Sequence, residues 1–299
     1  MAGESLAEEI LTGSTGSMAL DVALSGLDAL EITPEEDVSR GARVWAATWP
    51  KLLAVGGSIL LWQIVVWAHL KPDYLLPGPG TVFGRLWDDI LHGGMLDSVG
   101  VTMQRAATGY GIALLLGMAM GIVVVRSGVA RAAFGSFITG LQTMPSIAWF
   151  PFAILIFKLS ENAILFVVLI GAAPAIANGL ISGVDHIPPI MFKAGRVLGA
   201  RRLKMWWYIM LPASLPGLAA GLKQGWAFAW RSLLAGELFV AIAGRNGLGT
   251  RLSYAQTNLD APGLMSAMVT ILVIGIVMDS LFFGRLERFV RVRWGLSRS

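Results

Sequence analysis

Long apolar runs alternate with short polar segments along most of the chain. Runs of roughly membrane length cover about residues 52–70, 101–125, 132–157, 163–183, 212–243 and 263–283. About 20 apolar residues suffice for a helix to cross a ~30 Å hydrocarbon layer. None of the runs alternates with the period of two that a membrane strand shows, so the pattern predicts a helical bundle and not a barrel. The reading is an all-α membrane protein with six transmembrane helices. Trp45, Trp49, Trp62 and Trp67 flank or enter the first run, as aromatic anchors at membrane interfaces do. The third run is interrupted at Met144-Pro145-Ser146, with a second proline at Pro151. Each proline removes a backbone hydrogen bond and bends or breaks the helix. Irregular backbone at membrane depth is tolerated where it lines a cavity. Gln142, Met144, Pro145, Ser146 and Trp149 are therefore candidates for lining a path; a simple kink in a packed helix is the other reading.

The fifth run is over-long and carries Lys223, Gln224, Arg231 and Glu237. An ionisable group inside a span costs at least about 2.5–3.5 kcal/mol, which makes each one a functional candidate. Gln224, Arg231 and Glu237 join the possible translocation path. A cationic Arg231 facing a cavity suits an anionic solute; a structural ion pair is the alternative for both charged residues.

The loops set the orientation. Cations number three before the first run (Arg40, Arg43, Lys51) and two between the second and third (Arg126, Arg131). There are five between the fourth and fifth (Lys193, Arg196, Arg201, Arg202, Lys204) and five after the sixth (Arg285, Arg288, Arg291, Arg293, Arg298). The intervening loops hold two, one and two. Cytoplasmic loops collect Lys and Arg, so both termini and the loop 185–212 are expected inside. Residues 1–37 hold nine acids and no base, unlike a signal peptide, which starts positive and continues apolar. The chain thus divides into an acidic cytoplasmic tail, 1–40, and a membrane domain, 41–299. For the tail, a solvated disordered segment and a short amphipathic helix over Met18 to Ile32 are both open readings.

Composition narrows the chemistry. Of 299 residues 55% are hydrophobic and 14% charged, against roughly 25% charged in soluble domains. There is no cysteine, and His69, His92 and His186 stand apart; no metal site is expected. No lysine is followed by Ser or Thr, so the phosphate-cradling sequence G-x-x-x-x-G-K-[ST] is missing. If ATP drives this protein, another subunit hydrolyses it. The basic residues mark loops and not nucleic-acid binding.

The basic loop has its own punctuation. Pro188 and Pro189 suit the first turn of a helix over 189–198. Gly199 permits a sharp turn at its end, and a second helix starts over 201–210 before Pro212. Such a knob would present Ile190, Met191, Val197 and Leu198 to a groove, with cations at the rim. Lys193-Ala194-Gly195, Gly199, Ile209 and Leu211-Pro212 resemble the signature loop of ABC-transporter permeases. That loop reads Glu-Ala-Ala, three residues, Gly, nine residues, Ile, one residue, Leu-Pro. This chain departs from it at Lys193, where the family has an acid, and at Gly195, where it has alanine. LLPGPGTV (75–82), MPSIAWFPFAILIF (144–157), AGELFVA (235–241) and NGLGTRLSYA (246–255) are similar to the nitrate/sulfonate/bicarbonate, or taurine-type, branch.

The resemblance implies the type I ABC importer permease fold, a homodimer, two ATP-binding subunits carrying ATP and Mg, and an extracytoplasmic solute-binding protein. No cofactor is expected on this chain. Pro189, Ile190, Met191, Lys193, Ala194, Gly195, Arg196, Val197, Leu198, Gly199, Arg201, Arg202, Leu211 and Pro212 would then form the ATPase-coupling loop. Aliphatic sulfonates such as taurine are the expected cargo, with nitrate, bicarbonate and thiamine-precursor-like solutes open. The rival is an ATP-independent secondary transporter, which would carry paired broken helices in an internal repeat; no such repeat is visible.

Overall fold

The structure, a computed structural model, describes residues 40–201 and 203–294. The acidic tail, its amphipathic segment, Arg202 and Arg298 lie outside the described residues. The chain divides between Leu61 and Trp62 into two units. Among the described residues the first holds most of α1 (Arg40–Trp67), whose segment Thr48–Trp67 is long and apolar enough to cross a bilayer.

All regular secondary structure among the described residues of the second unit is helical. Trp62 Nε1 donates to the Pro77 carbonyl at 3.2 Å and pins the proline-glycine turn. Pro79 then opens α2 (Pro79–Leu91), where its missing N–H costs nothing. The chain continues through α3 (Met95–Arg126), α4 (Gly128–Thr143), a single 3₁₀ turn (Ser146–Trp149) and α5 (Phe150–Phe157). Next come α6 (Glu161–Asp185) and α7 (Pro189–Val197). α8 (Leu211–Phe239) is preceded by a turn at Leu203–Met205 and a π-helical segment at Trp206–Met210. α9 (Leu248–Thr257) and α10 (Ala261–Val277) lead through a second π-helical segment, Met278–Phe283, into α11 (Gly284–Arg293).

α6 is the centre of the core. Ile164, Val167, Val168, Ala172, Ile176 and Leu180 on it are wholly buried, and α3 and α8 pack against it. Glycine lets the backbones approach. A Cβ added at Gly117 of α3 would lie 2.6 Å from the Ala173 carbonyl oxygen, and one at Gly121 would lie 3.0 Å from Leu180 Cδ2. On the other side Gly179 and Gly183 of α6 abut Gly221 and Gly217 of α8, backbone against backbone. α2 is tied to α10 through Asp89, which accepts from Ser266 Oγ at 2.9 Å.

By length and composition four helices can cross a membrane: Thr48–Trp67, Met95–Arg126, Glu161–Asp185 and Ala261–Arg293. The pair Gly128–Thr143 and Ser146–Phe157, bent by 98°, makes five if it is one broken span. The expected fifth run is present as α8, 29 residues long. Lys223, Gln224, Arg231 and Glu237 hold its mean hydropathy down, so composition alone does not return a count of six.

Candidate functional site

The break after α4 builds a cavity. The residue before a proline is pushed out of the helical region. Met144 accordingly sits at φ −84°, ψ 127°, and Pro145 at φ −57°, ψ 126°. The chain turns, and a hollow of about 400 Å³ opens between the turn, α6 and α8. Gln142, Met144, Pro145, Ser146, Gly171, Phe228, Arg231 and Ser232 line it. Gln142 Nε2 donates to the Pro174 carbonyl at 2.9 Å, which joins α4 to α6. Ser146 Oγ and Ser232 Oγ are 2.6 Å apart. Gly171 makes that meeting possible, because a Cβ there would lie 2.7 Å from Ser232 Oγ. Gly171 is 10 residues from Glu161 and 14 from Asp185, the two ends of α6. At 1.5 Å per residue that is about 15 and 21 Å, close to the middle of the helix.

Arg231 is the cation of this cavity, and no carboxylate lines it. Its Nε donates to the Ala227 carbonyl at 3.0 Å, and its guanidinium lies 5.0 Å from the centre of the Phe228 ring. It has no ion-pair partner among the described residues. A guanidinium with free donors, cushioned by an aromatic ring, is suited to receive an anion. Gln224 is exposed on the same helix but does not border the hollow. Nor does Trp149, which packs edge-on against Phe152 and whose buried indole N–H finds no partner among the described residues.

Glu237 lies elsewhere, wholly buried at 0% exposure. Thr102 Oγ1 donates to its Oε2 at 2.8 Å, Arg105 Nη1 to Oε1 at 2.8 Å, and the Gly249 N–H to Oε2 at 3.0 Å. The second edge of Arg105 clamps Glu161, with Nε and Nη2 both at 2.8 Å. Its Nη2 also donates to the Arg245 carbonyl at 3.1 Å. The Leu248 N–H donates to Thr102 Oγ1 at 2.8 Å. A Cβ at Gly247 or Gly249 would run into Glu237. The Asn-Gly-Leu-Gly-Thr segment, 246–250, thus wraps a carboxylate. Two of the resemblance motifs, AGELFVA and NGLGTRLSYA, are two halves of one lock joining α3, α6, α8 and α9. Thr102, Arg105 and Glu161 were missed as site residues. Arg105, an ionisable residue in the second apolar run, was the available signal.

The basic loop forms the third feature. α7 ends in a Schellman motif: the Ala200 N–H reaches the Gly195 carbonyl at 2.9 Å and the Gly199 N–H reaches that of Arg196 at 3.1 Å. Gly199 takes φ +78°, which only glycine adopts without strain. Gly195 is buried; the Ile209 side chain occupies the place of its missing Cβ, with Met205 Sδ at 3.2 Å. That contact gives glycine a physical reason at the position where the family has alanine. Ile190, Met191, Val197 and Leu198 are exposed, the last two at 87% and 84%. Pro189, Lys193, Ala194, Arg196 and Arg201 are also exposed, while Leu211 and Pro212 are half-buried at the start of α8. The loop is braced from α3, whose Arg126 guanidinium lies 5.5 Å from the centre of the Trp206 ring. Arg131 Nη1 holds both oxygens of Asp185 at 2.8 Å.

Residues 113–292, more than half of the chain, match the family described as binding-protein-dependent transport system inner membrane component. The nitrate import permease of Leptolyngbya laminosa is 28% identical over 74% of this chain and 72% of its own. The taurine transport permease of Escherichia coli is 24% identical over 79% and 87%. The riboflavin transport permease of Chloroflexus aurantiacus is 30% identical over 83% and 92%. Among solved structures, an inward-facing MetNI methionine ABC transporter chain superposes with a TM-score of 0.58 at 19% identity, over 68% of this chain and 98% of that one. With several apolar spans and an all-helical core of this type, the chain belongs to the ABC importer permeases: a multi-pass inner-membrane component, not an enzyme, related to the nitrate and sulfonate branch.

Proposed function

We propose that this permease carries a small organic or inorganic oxyanion, aliphatic sulfonates first among them, through the cavity at the α4 break. The observation that carries the reading is Arg231, a cation with no ion-pair partner among the described residues, in an acid-free hollow near mid-depth. Discontinuous helices place transporter sites at that depth. Related permeases are named for nitrate, taurine and riboflavin, so relatedness leaves the solute class open and the charge of the hollow favours an anion. Arg231→Gln should abolish uptake of the anion that stimulates ATP hydrolysis in the assembled transporter, with assembly intact. Uptake at the wild-type rate would remove Arg231 from the path.

The complete transporter is read as two copies of this chain, each with six spans and both termini inside. Two ATP-binding subunits, holding ATP and Mg, dock on the loops 185–212, and an extracytoplasmic solute-binding protein delivers cargo. Closure of the ATP-binding subunits draws the α7 helices together, and the spans rock to alternate access. Support comes from α7 itself, which exposes apolar residues among cations on a mount held by the Gly199 turn and the Gly195–Ile209 contact. Leu198→Asp, which places an unpaired charge in a docking groove, should cut recovery of the ATP-binding subunit on co-purification by at least about tenfold, the equivalent of about 1.4 kcal/mol. Vanadate-insensitive uptake in sealed vesicles would instead point to an ATP-independent carrier.

A further inference from the structure

A second charged surface is left unexplained at the end of the last helix. α10 runs antiparallel to α8: Gly275 lies beside Trp230, and Asp279 pairs with Lys223 at 3.2 Å. α11 continues that line toward the Leu211 end of α8, the end that carries the loop 185–212. Helix extends from Ala261 to Arg293 over 33 residues, about 50 Å at 1.5 Å per residue. The hydrocarbon layer is only ~30 Å thick, so the last turns emerge among lipid headgroups.

There α11 exposes Arg285, Arg288 and Arg293, with Phe289 and Val292 bare between them at 62% and 61%. These five residues line a shallow hollow of about 330 Å³. The acid of the helix, Glu287, is engaged by Arg291 at 2.8 Å. Arg285, Arg288 and Arg293 are left without an ion-pair partner among the described residues. Hydrocarbon would not tolerate three free guanidinium groups. Water alone gives no reason for bare Phe and Val beside them. The interface between the two accepts both: rings sink to the acyl boundary while cations meet lipid phosphates.

We propose that the end of α11 is a binding site for an anionic phospholipid. Arg285 and Arg288, one turn apart on one face, hold the headgroup phosphate, with Arg293 at the rim. The acyl chain lies over Phe289 and over Phe282, seven residues earlier and itself exposed. Arginine suits the role because its planar fork binds phosphate oxygens in pairs. The assignment of this lipid to the inner leaflet rests on the proposed orientation; the binding itself does not.

The test uses the full-length permease in neutral detergent. Dansyl-labelled phosphatidylglycerol and phosphatidylcholine are titrated, and energy transfer from tryptophan is read. Each arginine near a phosphate contributes roughly fivefold, so the anionic lipid should bind at least about tenfold tighter. Arg285→Gln/Arg288→Gln should bring the two lipids to equal affinity at unchanged Tm, and Arg285→Lys/Arg288→Lys should keep part of the preference. Equal affinities in the wild type, or a preference surviving in the glutamine variant, would overturn the site. Displacement of the lipid by millimolar inorganic phosphate would make it a soluble-anion site and likewise refute the proposal. A glutamine variant that keeps the lipid preference but no longer co-purifies with the ATP-binding subunit would assign the surface to that subunit. The readout needs neither ATP nor solute, so its failure leaves the transport reading untouched.

Discussion

Arg105→Ala is expected to destabilise the folded permease by about 3–5 kcal/mol, the range for removing one partner of a buried ion pair. The cost comes from what stays behind. Glu237 has no exposed surface, and without Arg105 its carboxylate keeps, among the described residues, only the Thr102 hydroxyl and the Gly249 N–H. A carboxylate so placed is an uncompensated buried charge. Glu161 is affected less, because its side chain is 30% exposed and Arg245 remains 3.4 Å away. The measurement is thermal unfolding of detergent-purified protein, and a Tm equal to the wild type would sink the lock. Arg105→Ala/Glu237→Gln should recover part of the loss, since it removes the stranded charge; the double-mutant cycle then gives the coupling of the pair. Arg105→Lys should fall between the two extremes. A single ammonium cannot serve two carboxylates and a carbonyl in the geometry of a guanidinium fork.

Gly221→Val should be nearly as damaging for a steric reason. A Cβ at Gly221 would lie 2.5 Å from Gly179 Cα and 3.1 Å from its N, both backbone atoms of α6. Overpacking of a core typically costs 1–3 kcal/mol when side chains can shift aside. Here the obstacle is main chain, so about 3 kcal/mol or more is expected, or the two helices separate. α8 carries Arg231 and Glu237 toward one end and joins the loop 185–212 at the other. Displacing it should therefore lower uptake and recovery of the ATP-binding subunit together. Ala220→Val, one residue away on the exposed face, is the control and should stay within about 0.5 kcal/mol of the wild type. Equal Tm values for the two variants would show that the seam does not carry the α6–α8 packing.

Legibility followed sequence distance. The α7 knob could be read because a Schellman end is a contact between residues three and five positions apart, here Arg196 to Gly199 and Gly195 to Ala200. The α4 break could be read because proline acts on its own residue and the one before it. The tie between Thr102 and Glu237 spans 135 residues, and no local pattern announces it. Glu237 stands out as a charge in an apolar run and Arg105 is another, but nothing local indicates that one answers the other. Gln224 and Arg231, seven residues apart, share a face of α8; Gln224 lies about 10 Å further along the axis, beyond the hollow that Arg231 lines.

By itself the sequence determined the solvent of this protein, the helical character of its runs, a bend or break at Pro145 and the shape of the basic loop. It also determined the absence of a phosphate loop. Each depends on sums over neighbouring residues or on one residue's own backbone limits. Only the tertiary structure decided that α6 is the centre and that a glycine seam sets its distance from α8. The tertiary structure likewise decided that Glu237 is locked away from the hollow while Arg231 remains in it. Those outcomes depend on how each helix is rotated about its axis and on which backbones can touch, and hydropathy carries no information on either.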